Sequence, residues 1–569
     1  GAKRRRKTLA WNRVPAYTTS GPYPQSSGVL TMDIFGLRES LESQKTELSR
    51  RSLFQGSGLT ALAALGVAVP AEAALEVGPN LYESIGVRPI INAKGTFTIV
   101  SGSQSLPEVK MAMMEASKHF VHIDELMDAV GARIAELTQA DSAIVTCGCA
   151  SALTHATAAC IAGGDPEKIQ RLPDLNGLKS EVVVPNYSRN VYDHAIRAVG
   201  VKMITVDSLD AMRRAITDKT AMVTIMAQPA DRGEFGLEPV AKVAHEFGIP
   251  VLVDAAAEGL TIPNVHLERG ADLVAYSGGK AMRGPQTAGL LLGRTDLIRA
   301  AWTNSSPHHT FGRAMKVGKE EIMGMLAAVE MWVKRDHDAE FKEWERWLDI
   351  IATEVKKVDG VTIEVRQPRG LSNYTPSLRI SWDSAKLGVY GEEVERELYA
   401  GTPRILLANG SGDRRTGGTS SVGISPWQMM PGNAETIAKA LHEKLTTPNV
   451  MTKAGDFTFP DAANVDGYWD VTIDYELSPA EHSLVFEQNG ETLAGYHRGD
   501  RTGGNLSGYV EGNRAVFTSR HRWEGASFGF AFNGTVDGDS MEGEVDLGEY
   551  FTAPFKATRH GYGQGGGRG

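Results

Sequence analysis

Between about residues 81 and 450, short and continuously apolar runs alternate with segments whose apolar residues recur at helical spacing. Each run is followed by a loop and a helix-period segment such as Glu238–Phe247. Strands that are apolar on both faces are typical of a parallel sheet covered by helices on both sides. Ligands of such sheets bind at the carboxyl ends of the strands. The strand-like runs are Ala143–Thr146, Glu181–Val184, Lys202–Val206, Ala221–Ile225, Pro250–Val253 and Leu273–Tyr276.

The pattern changes twice further along the chain. After Glu320 it is helical through Val358, and shorter strands and helices follow up to residue 450, which indicates a smaller α/β domain. From Phe457 to Arg559 the chain reads as strands separated by turn dipeptides such as Asn-Gly and Asp-Gly, which predicts an antiparallel sandwich or a small barrel. The predicted units are 74–325 (N-terminal segment and large domain), 326–450 (small α/β domain), 455–560 (all-β domain) and 561–569 (flexible Gly-rich tail).

The N-terminal 73 residues differ from the rest in composition. Residues 1–31 are basic and then Ser/Pro/Gly-rich, so we expect them to be disordered. Residues 32–73 contain Arg50-Arg51, a short apolar run and a closing Ala71-Glu72-Ala73, which is the order of parts in a twin-arginine export signal. The sequence therefore predicts a periplasmic or exported protein. The alternative is a cytoplasmic protein in which this stretch is an ordinary Ala-rich helix.

Charge and cysteine content exclude several classes of protein. The 569 residues carry 59 Lys plus Arg against 69 Asp plus Glu, a net charge of -10, and this balance argues against a nucleic-acid partner. The three cysteines lie within fourteen residues, which excludes a disulfide scaffold. The apolar run of the export signal is too short for a stable membrane span. No metal site is predicted, because His308-His309 has no further ligand at a recognisable spacing.

Three polar side chains follow two of the predicted strands. Asp254 comes directly after Ile249–Val253, and Ser277 and Lys280 follow Ala271–Tyr276. Neighbouring strands would bring these groups to one sheet edge, where they match the needs of pyridoxal 5′-phosphate (PLP). The lysine would hold the aldehyde as a Schiff base, and the carboxylate would keep the pyridine nitrogen protonated. Gly278 and Gly279 are expected to make room for the cofactor.

The phosphate of such a cofactor needs a separate anion site. Val145–Leu153 runs from a strand through a small-residue loop into a helix, and the start of a helix presents free N–H groups and a positive dipole to an anion. We assign Gly148, Cys149 and Ala150 to this site, with Ser277 as a further donor. For Cys147 and Cys149 the sequence favours packing as small residues over a redox role, since nothing nearby supports a reactive thiolate.

One competing motif is present. Ser277-x-x-Lys280 also matches the serine–lysine motif of β-lactamases and penicillin-binding proteins. The chain lacks a recognisable Ser-Asp-Asn or Lys-Thr-Gly partner motif, and Ser277 follows a strand and precedes glycines instead of opening a helix. These differences favour the PLP interpretation.

Residues from about 81 to 445 resemble the PLP-dependent enzymes of the selenocysteine synthase (L-seryl-tRNA selenium transferase) and D-glucosaminate-6-phosphate ammonia-lyase group. This resemblance implies the aspartate-aminotransferase-like fold type I. The segments that carry it are Gly86–Ala93, Gly95–Thr98, Arg189–Asp193, Asp254–Glu258, Ser277–Gln286 and Gly312–Glu320.

The resemblance implies roles for individual residues. Lys280 would carry the cofactor and Asp254 would pair with its pyridine nitrogen. Relatives have a His where this chain reads Tyr187-Ser188-Arg189-Asn190, so either Tyr187 stacks on the cofactor or no ring does. Family enzymes are dimers or larger rings with active sites at subunit interfaces. The remaining candidates, for binding the substrate or another anion, are Arg283, Arg313, Lys316, Lys319 and Arg404.

The leading functional hypothesis is a PLP-dependent lyase that carries out α,β-elimination on a hydroxylated amino acid or amino-sugar acid. Racemisation, aldol cleavage and β-replacement remain alternatives because they use the same carbanion chemistry at Cα or a closely related step. A third alternative is a non-catalytic PLP-fold protein that acts through its C-terminal β-domain. The expected partners are a small-molecule substrate and further copies of this chain.

Overall fold

A computed structural model describes residues 77–227, 233–413, 417–447 and 461–561. The predictions for residues 1–31 and 32–73, which include the export signal, lie outside these ranges. So does the Gly-rich tail after Gly561.

A seven-stranded sheet forms the centre of the large domain. Its spatial order is β2-β8-β7-β6-β5-β3-β4, and β7, β6, β5, β3 and β4 pair in parallel. β8 is antiparallel to both of its neighbours, β2 and β7. The strands in this part of the chain are β1 (Ile90–Asn92), β2 (Ser142–Thr146), β3 (Glu181–Pro185), β4 (Lys202–Val206), β5 (Thr220–Met226), β6 (Val251–Asp254), β7 (Leu273–Ser277) and β8 (Gly289–Gly293).

Helices cover this sheet, and its strands are buried because they carry mostly Val, Ile, Leu and Ala. The helices are α1 (Pro107–Ser117), α2 (Ile123–Thr138), α3 (Gly148–Ala162), α4 (Pro166–Arg171), α5 (Asp193–Arg197), α6 (Leu209–Ala215), α7 (Leu237–Glu246), α8 (Val265–Glu268) and α9 (Thr295–Thr303). α3 is buried on nearly all sides, since its Ala, Thr, Ser and Cys residues are small enough to pack against the sheet and its neighbouring helices.

Two long helices lead into the small domain, which has its own core around Trp347, Ile351, Ile380 and Trp382. Its antiparallel sheet has the order β12-β13-β10-β9, while β11 pairs in parallel with β1 from the N-terminal segment. The elements are α10 (Lys319–Lys334), α11 (His337–Val355), β9 (Thr362–Arg366), β10 (Ser377–Asp383), α12 (Ser384–Leu387), α13 (Gly391–Ala400), β11 (Arg404–Leu406), β12 (Ala408–Ser411), β13 (Thr419–Ile424) and α14 (Asn433–Thr446).

The C-terminal domain is a closed barrel of eight antiparallel strands that pair in sequence order, with the last strand pairing with the first. Inward positions alternate with outward ones, and aromatic residues such as Trp469, Phe486, Phe517 and Phe532 fill the interior. The strands are β14 (Gly467–Asp474), β15 (Pro479–Asn489), β16 (Thr492–Arg498), β17 (Gly503–Glu511), β18 (Arg514–Trp523), β19 (Ala526–Asp537), β20 (Ser540–Asp546) and β21 (Thr552–Arg559).

The predicted fold class is confirmed: an α/β fold type I large domain, a small α/β domain and an all-β domain follow one another. Of the two predicted forms of the all-β domain, the barrel is the one that forms. The sheet is not wholly parallel, because β8 runs against its neighbours. None of the helices in the described ranges combines the length and hydropathy that a membrane crossing requires.

Candidate active site

Gly289, the first residue of β8, joins the two segments that the sequence assigned to the cofactor. Its register partners are Thr146 at the end of β2 and Ser277 at the end of β7. The loop into α3 therefore begins on one side of Gly289, and the loop that carries Lys280 begins on the other. In the next pairing of the sheet, Asp254 at the end of β6 is opposite Ala275. The predicted convergence at one sheet edge is thus present.

The start of α3 leaves backbone N–H groups free for an anion. The amide groups of its first turn have no intrahelical partner, and among the described residues no side chain caps them. Gly148 adopts φ +79°, a left-handed conformation that glycine adopts without strain. A Cβ atom on Gly289 would lie 2.5 Å from the carbonyl carbon of Gly148 and 2.7 Å from the nitrogen of Cys149. Only a glycine therefore lets β8 approach this turn so closely.

Asp254 is buried beside this turn. Its Oδ1 accepts a hydrogen bond from the N–H of Ala256 at 3.1 Å and lies 3.7 Å from the Cys149 thiol. Burial raises the pKa of Asp254, while the Ala256 N–H and the Lys280 charge act to lower it. Burial also raises the pKa of Cys149 well above its ordinary value, and the Asp254 charge adds to this effect. Cys149 is therefore a neutral thiol that donates to Asp254, which fits packing better than redox chemistry.

The turn before Lys280 needs its glycines for a reason that the sequence did not show, in addition to the predicted room for a cofactor. A Cβ atom on Gly278 would meet the Ala288 carbonyl and the Met325 sulfur, each at 2.7 Å, and one on Gly279 would meet Gln286. The atoms that would crowd these positions belong to the protein itself. The glycines allow the turn to fold back on the start of β8, and this places Lys280 near Asp254 and Cys149, whose pKa values respond to its charge.

The loop after β3 lies against the same carboxylate. Ser188 Oγ accepts a hydrogen bond from the N–H of Met226, and Met226 is the register partner of Asp254. Tyr192 is close enough for the charge of Asp254 to add to the effect of burial in raising its pKa. The Tyr187 hydroxyl donates to the Phe235 carbonyl at 2.5 Å, and its ring packs edge-on against the Phe235 ring. These contacts fix the position of Tyr187 within the protein.

The barrel contacts this loop directly. Glu524, in the turn between β18 and β19, lies 2.5 Å from Arg189, which also pairs with Asp193. A side chain at Gly525 would overlap the Asn190 carbonyl and the Asp193 carboxylate. The charge of Glu549, near the start of β21, also contributes to the raised pKa of Tyr192. One end of the barrel therefore supports the loop that borders Asp254. Arg189 and Glu524 are 335 positions apart in the chain, and the sequence did not reveal their contact.

The residues predicted to bind the substrate or another anion lie in several separate parts of the structure. Arg283 follows the Lys280 turn, and its Nε donates to the Gln104 carbonyl at 3.1 Å. Lys316 is exposed, and Lys319 pairs with Glu320. Arg313 is half-buried, with its Nη1 3.5 Å from Ser306 Oγ. The guanidinium of Arg404 stacks over the Tyr399 ring in the small domain. Within the described ranges, no hydrogen bond or ion pair joins Arg313, Lys316 or Arg404 to Lys280, so their roles stay predictions.

Comparisons with known proteins agree with this geometry. The aminotransferase class-V family matches residues 107–316. D-glucosaminate-6-phosphate ammonia lyase of Salmonella typhimurium is 31% identical over 336 residues, which cover 57% of this chain and 88% of the relative. 5′-C-glycyluridine monooxygenase-decarboxylase of a Streptomyces species is 29% identical, covering 64% and 92%. L-seryl-tRNA(Sec) selenium transferase of Moorella thermoacetica is 27% identical, covering 48% and 62%.

A solved structure of D-glucosaminate-6-phosphate ammonia-lyase superposes with a TM-score of 0.57 at 28% identity, over 65% of this chain and 99% of that chain. The fold and the site together define a PLP-dependent enzyme of fold type I. Within that class, the chain belongs to the family of the ammonia lyase and the selenocysteine synthases. The open start of α3, buried Asp254 and the glycine turn before Lys280 fit the phosphate, ring nitrogen and aldehyde of PLP.

Gly289→Ala is expected to weaken PLP binding while the fold persists, because the new methyl group would displace the turn at Gly148. Titration of the apoprotein with PLP, followed by visible absorption, measures this loss of affinity. Gly164→Ala is the matched control, since a Cβ there meets open space. Unchanged affinity in Gly289→Ala would show that the α3 turn does not hold the phosphate.

Glu524→Ala is expected to lower PLP affinity several-fold and to make the loop of residues 187–193 more sensitive to protease in the apoprotein. The reason is that Arg189 loses its partner from the barrel. Arg189→Ala and the double variant complete a double-mutant cycle, which isolates the coupling of the pair. Glu542→Ala, on an exposed position of β20, is the control. Additive effects of the two single variants would contradict a supporting role for this contact.

Proposed function

We propose that the protein is a PLP-dependent lyase that removes water from a hydroxylated amino acid or amino-sugar acid and releases ammonia. The observation that carries the proposal is the meeting of Lys280, Asp254 and the open start of α3 at one sheet edge. The similarity to an ammonia lyase along 88% of that relative's length supports this reaction over others.

PLP, when bound, supplies the electron sink for the pair of electrons that remains at Cα after proton loss. Asp254 would hold the ring nitrogen in its charged form, and the first turn of α3 would bind the phosphate. The Lys280 amine would take the Cα proton. The β C–O bond then breaks and its hydroxyl leaves as water after taking up a proton. The resulting enamine becomes an imine, which water hydrolyses to a keto acid and ammonia.

β-Replacement is the second candidate. It begins with the same loss of a Cα proton and a β-substituent, after which a nucleophile adds at Cβ. The similarity to L-seryl-tRNA(Sec) selenium transferase favours it, although this chain spans only 62% of that relative. Ammonia release distinguishes the two reactions, because replacement retains the amino group.

We also propose that the enzyme is a homodimer or a larger homo-oligomer. Large apolar side chains are exposed on α1 and on the segments around it, where a single chain leaves them in water. The exposed fractions include 91% for Ile99, 103% for Phe120, 56% for Met114 and 53% for Phe97. A second copy that covered this surface would also lie close to the Lys280 turn. The segment next to the surface contacts that turn, since the N–H groups of Ser103 and Leu106 donate hydrogen bonds to the carbonyls of Gly279 and Arg283.

The lyase proposal predicts ammonia release from at least one β-hydroxy amino acid or 2-amino sugar acid, measured with a coupled glutamate dehydrogenase assay. Lys280→Ala should lower the rate at least about 100-fold, since a positioned acid or base contributes on that order. Lys439→Ala is the control, because Lys439 is exposed on α14. Turnover or racemisation of substrate without ammonia would contradict elimination.

The oligomer proposal predicts that Phe120→Asp lowers the molar mass measured by light scattering during size-exclusion chromatography. A buried charge at the interface would separate the copies. Leu477→Asp is the control, since Leu477 is 99% exposed on the barrel. A monomeric mass for the unmodified protein would contradict the proposal directly.

A further inference from the structure

A cavity of about 380 Å³ lies between the Lys280 segment, the junction of α10 and α11, and the small domain. Ala281, the residue after Lys280, is part of its wall, as are Leu260 from the loop after β6 and Gln428 from the small domain. Its volume is within the range of small-molecule sites in proteins. Of the residues predicted to bind the cofactor, the substrate or another anion, Arg283 alone lines this cavity. We call it the aromatic cavity.

Five aromatic side chains give this cavity flat walls: Trp332, Phe341, Trp344, Tyr374 and Trp427. Trp332 is held in place, because its Nε1 donates to the Leu260 carbonyl at 3.0 Å and its ring packs on Gly259, where a Cβ would lie only 2.8 Å away. Phe341 stacks obliquely on Tyr374, with ring centroids 5.5 Å apart. A planar ring in the cavity would find fixed aromatic faces at offset-stacking or edge-to-face geometry.

Two arginines bring positive charge to the inner part of the cavity. The Arg335 side chain is 8% exposed, and its Nη2 donates to the Ala281 carbonyl at 3.2 Å. The buried Nε of Arg335 has no acceptor among the described residues. Arg283 uses its Nε on the Gln104 carbonyl, and no described residue accepts a hydrogen bond from its two terminal nitrogens. Both side chains thus retain donors for a ligand.

Carboxylates also act on these two arginines. Glu340 lies 3.5 Å from Arg335 and is the one half-buried carboxylate in the lining. Burial lowers the pKa of Arg335; the charge of Glu340 acts against this effect, and the charge of Arg283 adds to it. Asp338, Lys342 and Glu345 also line the cavity but are exposed, so solvent screens them. Glu108, on α1 and outside the lining, also acts to raise the pKa of both arginines. The carboxylates therefore offset the charge of the two guanidinium groups, but they leave the Nε of Arg335 without an acceptor in the part of the chain that the structure describes.

We propose that the aromatic cavity binds a planar aromatic carboxylate, with its ring against the tryptophan and phenylalanine faces and its carboxylate on Arg335 and Arg283. Such a ligand satisfies the free guanidinium donors, and its ring fills the apolar volume. It would be either the aromatic part of the enzyme's own substrate or a separate ligand beside the Lys280 segment. The proposal does not depend on which reaction the enzyme catalyses.

The test is isothermal titration calorimetry of the PLP-loaded full-length protein with 2-naphthoate and with its neutral counterpart, 2-naphthamide. We expect 2-naphthoate to bind and the amide to bind at least about tenfold more weakly. Arg335→Met should remove this preference for the anion, because a charged hydrogen bond is worth about a factor of ten or more. Arg346→Met is the matched control on α11, where Arg346 is exposed.

Phe341→Leu is a second variant that removes one aromatic face with only a modest loss of side-chain volume, and it should weaken the binding of both ligands equally. Equal binding of acid and amide, an Arg335→Met variant that binds as before, or absence of binding at millimolar concentration would each overturn the proposal. Repeating the titration on Lys280→Ala keeps this result separate from the lyase proposal, since binding there needs no turnover. Competition between 2-naphthoate and an amino-acid substrate would assign the cavity to the substrate, whereas simultaneous binding would assign it to a separate ligand.

Discussion

The site depends on how closely the first residue of β8 approaches the start of α3. Gly289 pairs with the ends of β2 and β7 at once, so a single residue sets the distance between the predicted phosphate site and the loop of Lys280. Because β8 runs against its neighbours, its first residue lies where their last residues lie. An antiparallel strand inside an otherwise parallel order is thus what joins two loops that are over a hundred residues apart in sequence.

The sequence predicted the parts of the fold that leave a local pattern. Continuously apolar runs located β2 to β7 to within two residues, and polar residues directly after them located Asp254 and Lys280. The direction of β8 left no such pattern, since Gly-Leu-Leu-Leu-Gly is apolar whichever way it runs. The close packing of Gly278 and Gly279 left no pattern either, because Ala288, Met325 and Gln286 come near these glycines only after folding.

Contacts between distant segments account for the rest of what the sequence did not show. The ion pair of Arg189 with Glu524 joins the large domain to the barrel, and neither residue belongs to a motif that marks the other. The aromatic cavity is similar, since Trp332, Tyr374 and Trp427 come from three separate elements and each is an ordinary aromatic residue in its own segment. Such sites arise from tertiary packing, which spacing along one strand or helix does not encode.

The support of the Arg189 loop by the barrel has a consequence for the order in which the enzyme is made. Ribosomes complete the large domain long before they reach Glu524, and domains fold largely as they emerge. Until the last domain has been synthesised and has closed its eight strands, Arg189 in the loop beside Asp254 therefore has only its partners in the large domain, Asp193 and Thr205. Chains cut short before that point would contain Lys280 and Asp254 but lack this support, so the predicted cofactor site would be complete only once the whole polypeptide has been made.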